Sequence, residues 1–504
     1  MKLLTSALNT FFLFHLLPSS IAGDLHEHRG EDGEQVHIFK YPHLLHHRHS
    51  SSNKTKEPSF IEHKFTSNLV DTSEGFCGAT SAKSISGYMD IVGSKYDESD
   101  DKHYFFWFFE SQNVKSQVKD GEVPPLIIWL TGGPGCSSSL ALLTENGPCK
   151  VNEHGDGTIP NPYSWNMNAH MLWLDQPAGV GFSYGEENDK NEEMVGEDAY
   201  YFIQAFLKSH PAYQSSELFI VGESYGGHYA PAIAHRVMVG NEQKLEGTID
   251  VKLSGVAVGN GLTDPAVQYQ YYADMAFNNS HGIHCVDEAT YKKMKDNTPT
   301  CVGMIQSCND APLSSFRTQF KCQVADTYCN TEVTGKYYNT GLNPYDIRKQ
   351  CGDNPLCYDF SNVEKFLNLE STKEKLHVSM KSNKWVTCNN DVNGKFRADF
   401  VRDYAQDVAD LLNNDIRVLI YAGDVDFICN YLGNRAWTLA LEWNGEEDFN
   451  KATSEDWYDG SGSIIRSSNG MFTFLQVYDA GHMVPTDQPK AALQLINEFI
   501  YDEM

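Results

Sequence analysis

The chain has 504 residues, of which 41% are apolar and 12% aromatic, and its formal net charge at pH 7 is −28. That length exceeds one small domain and fits a large α/β domain that carries an insertion. The strong negative charge excludes nucleic acid as a partner, because the phosphates would be repelled.

The first segment along the chain has the pattern of a targeting sequence. Residues 1–22 resemble a signal peptide, with Lys2 at the positive end, an apolar stretch at Leu13–Leu17 and a cleavage-site pattern at Ser20–Ala22. A membrane anchor is the alternative, and the short apolar stretch argues against it. We therefore predict the secretory pathway, ending in the vacuole or outside the cell, with no membrane attachment after the signal is removed.

Residues 23–75 differ in composition from the rest of the chain and predict a propeptide. They are rich in histidine, serine and charge, as in the run at 43–49. A metal-binding tract is another interpretation of such a run, but a disordered or weakly folded propeptide is favoured. Asn53 and Asn278 begin glycosylation signals, and Asn53 falls in the segment that would be removed.

Residues 76–504 have the pattern of one globular catalytic domain. Continuous apolar runs predict strands buried on both faces at Ile85–Ile91, Tyr104–Phe109, Leu126–Leu130, Met171–Leu174, Leu218–Val221, Leu253–Val258, Val418–Tyr421 and Phe472–Val477. Helices are expected at Glu193–Lys208, Gly227–Val239, Phe396–Leu412 and Ala491–Ile500. This alternation predicts an α/β fold, a mostly parallel sheet with helices on both faces. Residues 265–390 break the rhythm and are expected to form a disulfide-rich lid insertion.

The segment Gly222–Gly226 has the pattern of a nucleophile elbow, with Ser224 at its centre. It follows the apolar run Leu218–Val221 and precedes a predicted helix, so that a sharp turn joins strand to helix. The flanking glycines fit this context because a Cβ would clash in so tight a turn. An ordinary glycine-rich loop is the alternative, since so short a pattern also arises by chance.

Two later segments support Ser224 as a nucleophile. Asp424 and Asp426 follow the strand-like run Val418–Ile420, and His482 follows the last predicted strand. Serine, then acid, then histidine is the chain order of the α/β-hydrolases, and it predicts that fold. The histidine would act as general base and acid while the carboxylate orients its ring. The residues alone do not decide between the two aspartates.

An oxyanion formed at the serine needs two backbone N–H donors. Tyr225, directly after Ser224, is expected to supply one of them. The loop Thr131–Gly135 follows the strand Leu126–Leu130, and its Gly133 is expected to supply the other, since glycines allow the backbone to approach closely. A phosphate-binding loop is the alternative, but the Lys-Ser/Thr pair of such loops is missing.

Twelve cysteines in a chain with a signal peptide predict disulfides. Six of them lie within residues 301–357, which indicates a stapled subdomain with a thin core. A zinc site is the alternative, and it is disfavoured because no histidine lies among these six cysteines. We expect neither a metal nor a cofactor.

Five segments together resemble the serine carboxypeptidase family, from about residue 80 to the end of the chain. They are Trp129–Ser138, Asp175–Tyr184, Gly222–Pro231, Gly259–Asp264 and Gly481–Pro485. The chain is similar to the plant type III, carboxypeptidase Y-like branch of this family. The resemblance implies a serine-type carboxypeptidase that releases C-terminal amino acids from peptides and proteins at acidic pH through an acyl-enzyme.

The resemblance also implies roles for particular residues. It identifies Asp426 as the triad acid, and it implies that Glu145 and Glu223 share a proton and bind the terminal carboxylate of the substrate. Two close carboxylates cannot both ionise cheaply, so one pKa rises and binding should weaken as the pH rises. Gly132 and Thr131 are expected to complete this contact, although the family often has asparagine at the position of Thr131. A hydroxyl donates one hydrogen bond but reaches less far than an amide.

Four disulfides are implied by the resemblance alone. They join Cys136 to Cys388, Cys301 to Cys329, Cys308 to Cys322, and Cys351 to Cys357. Cys429 is implied to be a free thiol near the triad, which would make the enzyme sensitive to mercurials. No pairing is assigned to Cys77, Cys149 and Cys285, which have no clear counterparts in the family.

Two other functions are compatible with parts of this pattern. Plant relatives transfer acyl groups with the same triad, because an alcohol can replace water at the acyl-enzyme. A non-catalytic partner that stabilises other enzymes is a further alternative, and the intact Ser224, Asp426 and His482 argue against it. The expected partners are peptide or protein C-termini, and family members occur as monomers and as homodimers.

Overall fold

The computed structural model describes residues 68–73, 76–78, 82–97, 99, 101–113, 123–354 and 356–504, and the backbones of two further strands. Those strands, β1 (Leu25–Arg29) and β2 (Gln35–Phe39), pair antiparallel within a separate unit formed by residues 1–50. The predicted signal peptide and Asn53 lie outside the described residues, as does most of the predicted propeptide.

The second unit, residues 51–504, is built on one large mixed sheet. The described strands of this unit are β3 (Asn68–Asp71), β4 (Ser84–Ile91), β5 (Lys102–Phe109), β6 (Leu126–Thr131), β7 (Cys149–Val151), β8 (Thr158–Pro160), β9 (His170–Leu174), β10 (Tyr184–Gly185), β11 (Leu218–Glu223), β12 (Leu253–Gly259), β13 (Leu342–Asn343), β14 (Asp346–Gln350), β15 (Arg417–Gly423), β16 (Glu455–Trp457), β17 (Gly462–Arg466) and β18 (Phe472–Val477). The pairs β7–β8 and β13–β14 form two small sheets of their own. All eight strands predicted from apolar runs are present, with ends that differ by at most two residues.

Helices cover the sheet and fill the long connection between β12 and β15. They are α1 (Ser138–Thr144), α2 (Glu192–Ser209), α3 (Gly226–Gln243), α4 (Pro265–Gln268), α5 (Tyr272–Phe277), α6 (Glu288–Asn309), α7 (Phe316–Cys329), α8 (Gly335–Tyr338), α9 (Ser361–Leu367), α10 (Glu370–Leu376), α11 (Asn390–Lys395), α12 (Ala405–Asn413), α13 (Tyr431–Ala440), α14 (Glu446–Lys451), α15 (Val484–Asp487) and α16 (Pro489–Ile500). The described residues contain no helix long and apolar enough to cross a membrane.

The strand order in the large sheet is β16-β17-β18-β15-β12-β11-β6-β9-β5-β4-β3, with β10 also paired to β5. The six central strands, from β18 to β9, run parallel to one another. The strands at both edges pair antiparallel. This is the α/β-hydrolase fold that the chain order predicted.

The central strands are mostly apolar because both of their faces are covered. In β6, Ile128 and Leu130 pack into the apolar cluster on one face of the sheet, whereas Ile127 and Trp129 pack into the cluster on the other. Side chains alternate between faces along a strand, so a strand buried on both faces needs no polar positions. The same burial holds for all six residues of β11.

One predicted helix is wrong as a single element. The residues expected to form a helix at 396–412 form a 3₁₀ turn at Phe396–Ala398 and then α12, with a non-helical stretch between them. In that stretch the buried carboxylate of Asp399 accepts a hydrogen bond from the hydroxyl of Tyr404 at 2.8 Å. The other oxygen of Asp399 accepts from the hydroxyl of the distant Tyr225, and this tertiary contact overrides a helical pattern that the sequence shows only as spacing.

All twelve cysteines lie in the described residues, and ten of them form disulfides. Four bridges join the pairs that the family resemblance implied, Cys136–Cys388, Cys301–Cys329, Cys308–Cys322 and Cys351–Cys357. The fifth joins Cys77 to Cys149, two residues that the sequence left unassigned. Cys285 and Cys429 are buried free thiols. Two of the bridges staple α6 to α7 within the 265–390 segment.

Candidate active site

Ser224 occupies the sharp turn between β11 and α3. Its φ of 65° lies in the left-handed region, which a residue with a side chain adopts only when the surrounding structure holds it there. A Cβ added to Gly222 would lie 2.3 Å from the Gly226 carbonyl oxygen, so the turn has no room for a larger residue. Ser224 itself is half-buried. This is the geometry of the predicted nucleophile elbow.

His482 and Asp426 are brought together from loops that follow β18 and β15. The His482 Nδ1 lies 2.8 Å from the Asp426 Oδ2, and both side chains are buried. The Asp426 carboxylate also accepts hydrogen bonds from the Asn260 side chain at 2.8 Å and from the backbone N–H groups of Ile428 and Cys429. A carboxylate held in this way orients the imidazole and leaves Nε2 as the ring nitrogen for proton transfer.

The competing acid, Asp424, faces a different histidine. Its Oδ2 lies 2.9 Å from the Nε2 of His281, in the segment that follows α5. Burial raises the pKa of Asp424, and the contact with His281 opposes that shift. The geometry therefore brings Asp426, and not Asp424, to His482. Sequence reasoning missed His281 because no short motif marks it.

The 265–390 segment contacts both loops that carry these residues. The backbone N–H of His482 donates to the Tyr345 carbonyl at 2.9 Å, and the N–H groups of Phe427 and Ile428 donate to the Pro344 carbonyl at 3.0 Å. The Tyr345 ring lies 5.0 Å from the His482 ring, centroid to centroid. The inserted segment therefore helps to hold the acid and the histidine, a role that the sequence did not indicate.

The predicted oxyanion loop packs directly on the elbow. A Cβ added to Gly132 would lie 2.3 Å from the Tyr225 backbone nitrogen and 2.6 Å from the Glu223 carbonyl oxygen. Gly133 has a φ of 111°, which glycine adopts readily and other residues avoid. The two loops expected to supply N–H donors are thus in contact beside Ser224.

Glu145 and Glu223 form a buried acid pair. Glu223 ends β11, directly before the nucleophile, and Glu145 follows the last turn of α1; their residues are 3% and 1% exposed. Burial is the largest cause of the raised pKa of both groups. The pKa of Glu145 rises to about 7, partly offset by its contact with Glu223, and the charge of Glu145 helps to raise the pKa of Glu223 well above its usual value. Such a pair retains a proton where isolated carboxyl groups would lose theirs.

Thr131 lies beside this pair, since it is the register neighbour of Glu223 across the β6–β11 ladder. Its hydroxyl oxygen accepts a hydrogen bond from the Trp129 indole N–H at 3.0 Å, which leaves its own proton to donate. Asn161 holds the loop after Glu145 by donating to the carbonyls of Glu145 and Gly147. Sequence reasoning did not find Asn161, because it acts only through backbone groups.

Cys429 lies next to the Asp426–His482 pair. The Cys429 Sγ, a carboxylate oxygen of Asp426 and a ring nitrogen of His482 lie within 4.8 Å of one another. Asp426 and His482 are hydrogen-bonded to each other. Burial raises the pKa of the Cys429 thiol well above its usual value, so the thiol is neutral and not activated as a nucleophile.

Fold and geometry together define an α/β-hydrolase with a serine at the elbow. Residues 75–502 match the model of the serine carboxypeptidase family. The chain belongs to the serine carboxypeptidase family, and it is therefore a hydrolase of the exopeptidase class.

The chain is similar to several carboxypeptidases over most of their length. Carboxypeptidase Y of Komagataella phaffii is 41% identical over 83% of this chain and 76% of its own. Carboxypeptidase Y homolog A of Leptosphaeria maculans is 39% identical over 94% of this chain and 83% of its own. The vacuolar serine-type carboxypeptidase ATG42 of Saccharomyces cerevisiae is 40% identical over 84% of this chain and 80% of its own.

Among solved structures, the chain is similar to Kex1(Δ)p of Saccharomyces cerevisiae, a prohormone-processing carboxypeptidase. The two share 27% identity with a TM-score of 0.68, over 83% of this chain and 91% of the other.

Proposed function

We propose that this serine carboxypeptidase works through Ser224, His482 and Asp426 and releases C-terminal amino acids at acidic pH. The buried pair of Glu145 and Glu223, directly beside the nucleophile, carries the proposal. A pair that retains a proton can donate a hydrogen bond to an anionic peptide end, whereas two ionised carboxylates would repel it. An internal peptide bond presents no such charge, so the pair selects chain ends.

The proposed reaction assigns one role to each of these groups. The Ser224 Oγ attacks the carbonyl carbon of the last peptide bond while the His482 Nε2 takes the hydroxyl proton. The N–H groups of Tyr225 and Gly133 stabilise the oxyanion that forms. Collapse of this intermediate breaks the C–N bond, and His482 returns the proton to the leaving amine. Water then attacks the carbonyl carbon of the acyl-enzyme while His482 takes a proton from the water. The bond to the Ser224 Oγ breaks, and His482 returns the proton to that oxygen.

The carboxylate of the substrate would be held at the start of the elbow. Glu223 and Glu145 supply the proton, and the backbone N–H of Gly132 and the hydroxyl of Thr131 are the further donors. Asparagine, which the family often has at the position of Thr131, would reach further, so part of the contact shifts to the other donors. The 265–390 segment is proposed to act as the lid that sets the side-chain preference.

The disulfides and the relatives support the secretory pathway as the proposed compartment. Five bridges persist only in an oxidising environment, which the secretory pathway supplies. A relative named as vacuolar supports the vacuole as destination, with the cell exterior as the alternative. We propose that residues 23–75 are removed on the way and that Asn278, which is exposed, carries a glycan.

The decisive experiment is hydrolysis of blocked dipeptides by the mature protein across the acidic and neutral pH range. We expect release of the free C-terminal amino acid, no release by the Ser224→Ala variant, and covalent labelling of the wild type by a fluorophosphonate. Transfer from a sinapoyl-glucose donor without peptide hydrolysis would instead show an acyltransferase. A mature protein that neither hydrolyses nor labels would show a non-catalytic role.

A further inference from the structure

The hydroxyl of Tyr225 is anchored inside the protein, directly behind the nucleophile. Tyr225 is 2% exposed, and its phenol donates a hydrogen bond of 2.6 Å to the Asp399 Oδ2. The other oxygen of Asp399 accepts from the Tyr404 hydroxyl at 2.8 Å. Asp399 is fully buried and lies 174 positions further along the chain than Tyr225. Its carboxylate therefore joins the elbow to the stretch that interrupts the predicted 396–412 helix.

The ring of Tyr225 is held on its faces as well as at its hydroxyl. The His228 ring stacks on it with centroids 4.4 Å apart, and the Phe400 ring stacks with centroids 5.6 Å apart. A side chain held at its faces and its tip restricts the rotation of its own Cα and of the adjoining peptide. In Tyr225 that peptide carries the N–H proposed to stabilise the oxyanion.

This restraint matters because the preceding residue is strained. Ser224 at φ 65° is in a conformation that a residue with a side chain rarely adopts and that persists only where neighbours hold it. Tyr225 begins the connection to α3 without any side-chain capping hydrogen bond of its own. The buried phenol–carboxylate contact is a tertiary restraint on the residue that follows the strained serine.

Glu192, at the start of α2, lies beside the same carboxylate. It is 1% exposed, and burial together with the charge of Asp399 raises the pKa of Glu192 well above its usual value, so that Glu192 is neutral. Burial raises the pKa of Asp399 to about 6, against the opposing hydrogen bonds from Tyr225 and Tyr404. At 2.6 Å the Tyr225 hydroxyl is within hydrogen-bonding distance of the Asp399 carboxyl group.

We propose that Asp399 is a positioning residue for the oxyanion hole, which it acts on through the Tyr225 hydroxyl. This rests on the proposed function, in which the Tyr225 N–H binds the oxyanion. Removal of one oxyanion donor costs about 10²–10³ in kcat, and a donor that is only displaced keeps part of its effect. The phenylalanine variant retains the ring and its stacking and removes only the hydroxyl, so it isolates this contact.

The test is steady-state hydrolysis of a blocked dipeptide by the mature enzyme, with wild type, Tyr225→Phe, Asp399→Asn and the double variant. We expect Tyr225→Phe to lower kcat about tenfold and to leave KM within about twofold, because substrate contacts are made elsewhere. Asp399→Asn should also lower kcat, and adding it to Tyr225→Phe should cost little more, since both act through one contact. If Asp399→Asn fails to fold, Tyr404→Phe replaces it and should give a smaller loss of kcat.

Tyr213→Phe is the matched control. Tyr213 is also a buried tyrosine, and its hydroxyl donates to the Glu110 carboxylate at 2.7 Å, away from the site. It should lower Tm as Tyr225→Phe does while kcat stays at the wild-type value. An equal loss of kcat in the control, or an unchanged kcat in Tyr225→Phe, would overturn the proposal. A wild type without peptidase activity would instead overturn the proposed function.

Discussion

The Nδ1 of His482 lies 2.8 Å from the Oδ2 of Asp426. Asp424, two residues earlier in the same loop, turns to His281 at 2.9 Å instead. The Asp426 carboxylate accepts hydrogen bonds from the Asn260 amide and from two backbone N–H groups, which fix its orientation. The loop after β15 thus gives two neighbouring acids separate histidine partners.

Asn substitutions of these two acids should have very different effects. Asp426→Asn should lower kcat by about 10⁴, because the imidazole loses both its tautomer control and the stabilisation of its cation. Asp424→Asn should leave kcat within about threefold, since asparagine can still bond to His281 and that histidine takes no part in the reaction. The measurement is kcat on a blocked dipeptide, with Tm as the check on folding. Equal losses in both variants would contradict the assignment of the orienting acid.

The acid pair predicts a pH dependence of KM. A raised pKa means that Glu145 is neutral below about pH 7 and ionised above it, so the site gains a negative charge as the pH rises. KM for a dipeptide with a free carboxylate should therefore rise about tenfold between about pH 5 and about pH 8. In Glu145→Gln, which stays neutral, the rise should be much flatter.

A dipeptide with a C-terminal amide is the control for this effect. It lacks the charge that the pair recognises, so its KM should change little with pH in either enzyme. A rise in KM that is the same for carboxylate and amide substrates would place the titrating group elsewhere.

The contact between Gly132 and the elbow predicts a steric block. In Gly132→Ala the new methyl group would lie 2.3 Å from the Tyr225 nitrogen, and its three nearest neighbours are all backbone atoms, which cannot turn aside. We expect kcat to fall by about 10² or more as the oxyanion donors separate. Gly303→Ala is the control, because no atom lies within 4 Å of the added Cβ in α6. It should keep wild-type kcat and gain up to about 1 kcal/mol in helix stability.

Restoring asparagine at position 131 should have a small effect. The Thr131 hydroxyl is engaged with the Trp129 indole and keeps one proton to donate, while Glu223 and Gly132 lie alongside it. We expect Thr131→Asn to change KM by less than about threefold, since the amide adds reach without adding charge. A gain of about a hundredfold in kcat/KM, equal to about 2.7 kcal/mol, would show that threonine had impaired the site.

The elements predicted well from sequence are those whose neighbours cover them evenly. Central strands such as β6 and β11 are buried on both faces, so they form largely apolar runs in the sequence whatever their partners are. The 396–412 helix failed for the opposite reason. The helix is interrupted where Asp399 accepts hydrogen bonds from two tyrosine hydroxyls, one of which is distant in the chain. The periodicity of the sequence does not indicate that contact.

The candidate site divides in the same way. Ser224 and the glycines around it could be found from sequence because a strained turn needs those residue types locally. The choice between Asp424 and Asp426 could not be made from the residues, since a shift of two positions changes only the direction in which a loop side chain points. His281 and Tyr345 left no local signal at all, because each acts on a loop far away in the chain.

The apolar runs and the residues typical of tight turns can be recognised in the sequence. They were sufficient to predict the sheet, the nucleophile elbow and the chain order of serine, acid and histidine. Which acid meets His482, which carboxyl groups are buried together and which carboxyl group accepts from the Tyr225 hydroxyl were decided only when distant segments came together. The physical reason is that hydrogen bonds and shifted pKa values depend on distances of a few ångströms and on burial. Those quantities exist only once the chain has folded.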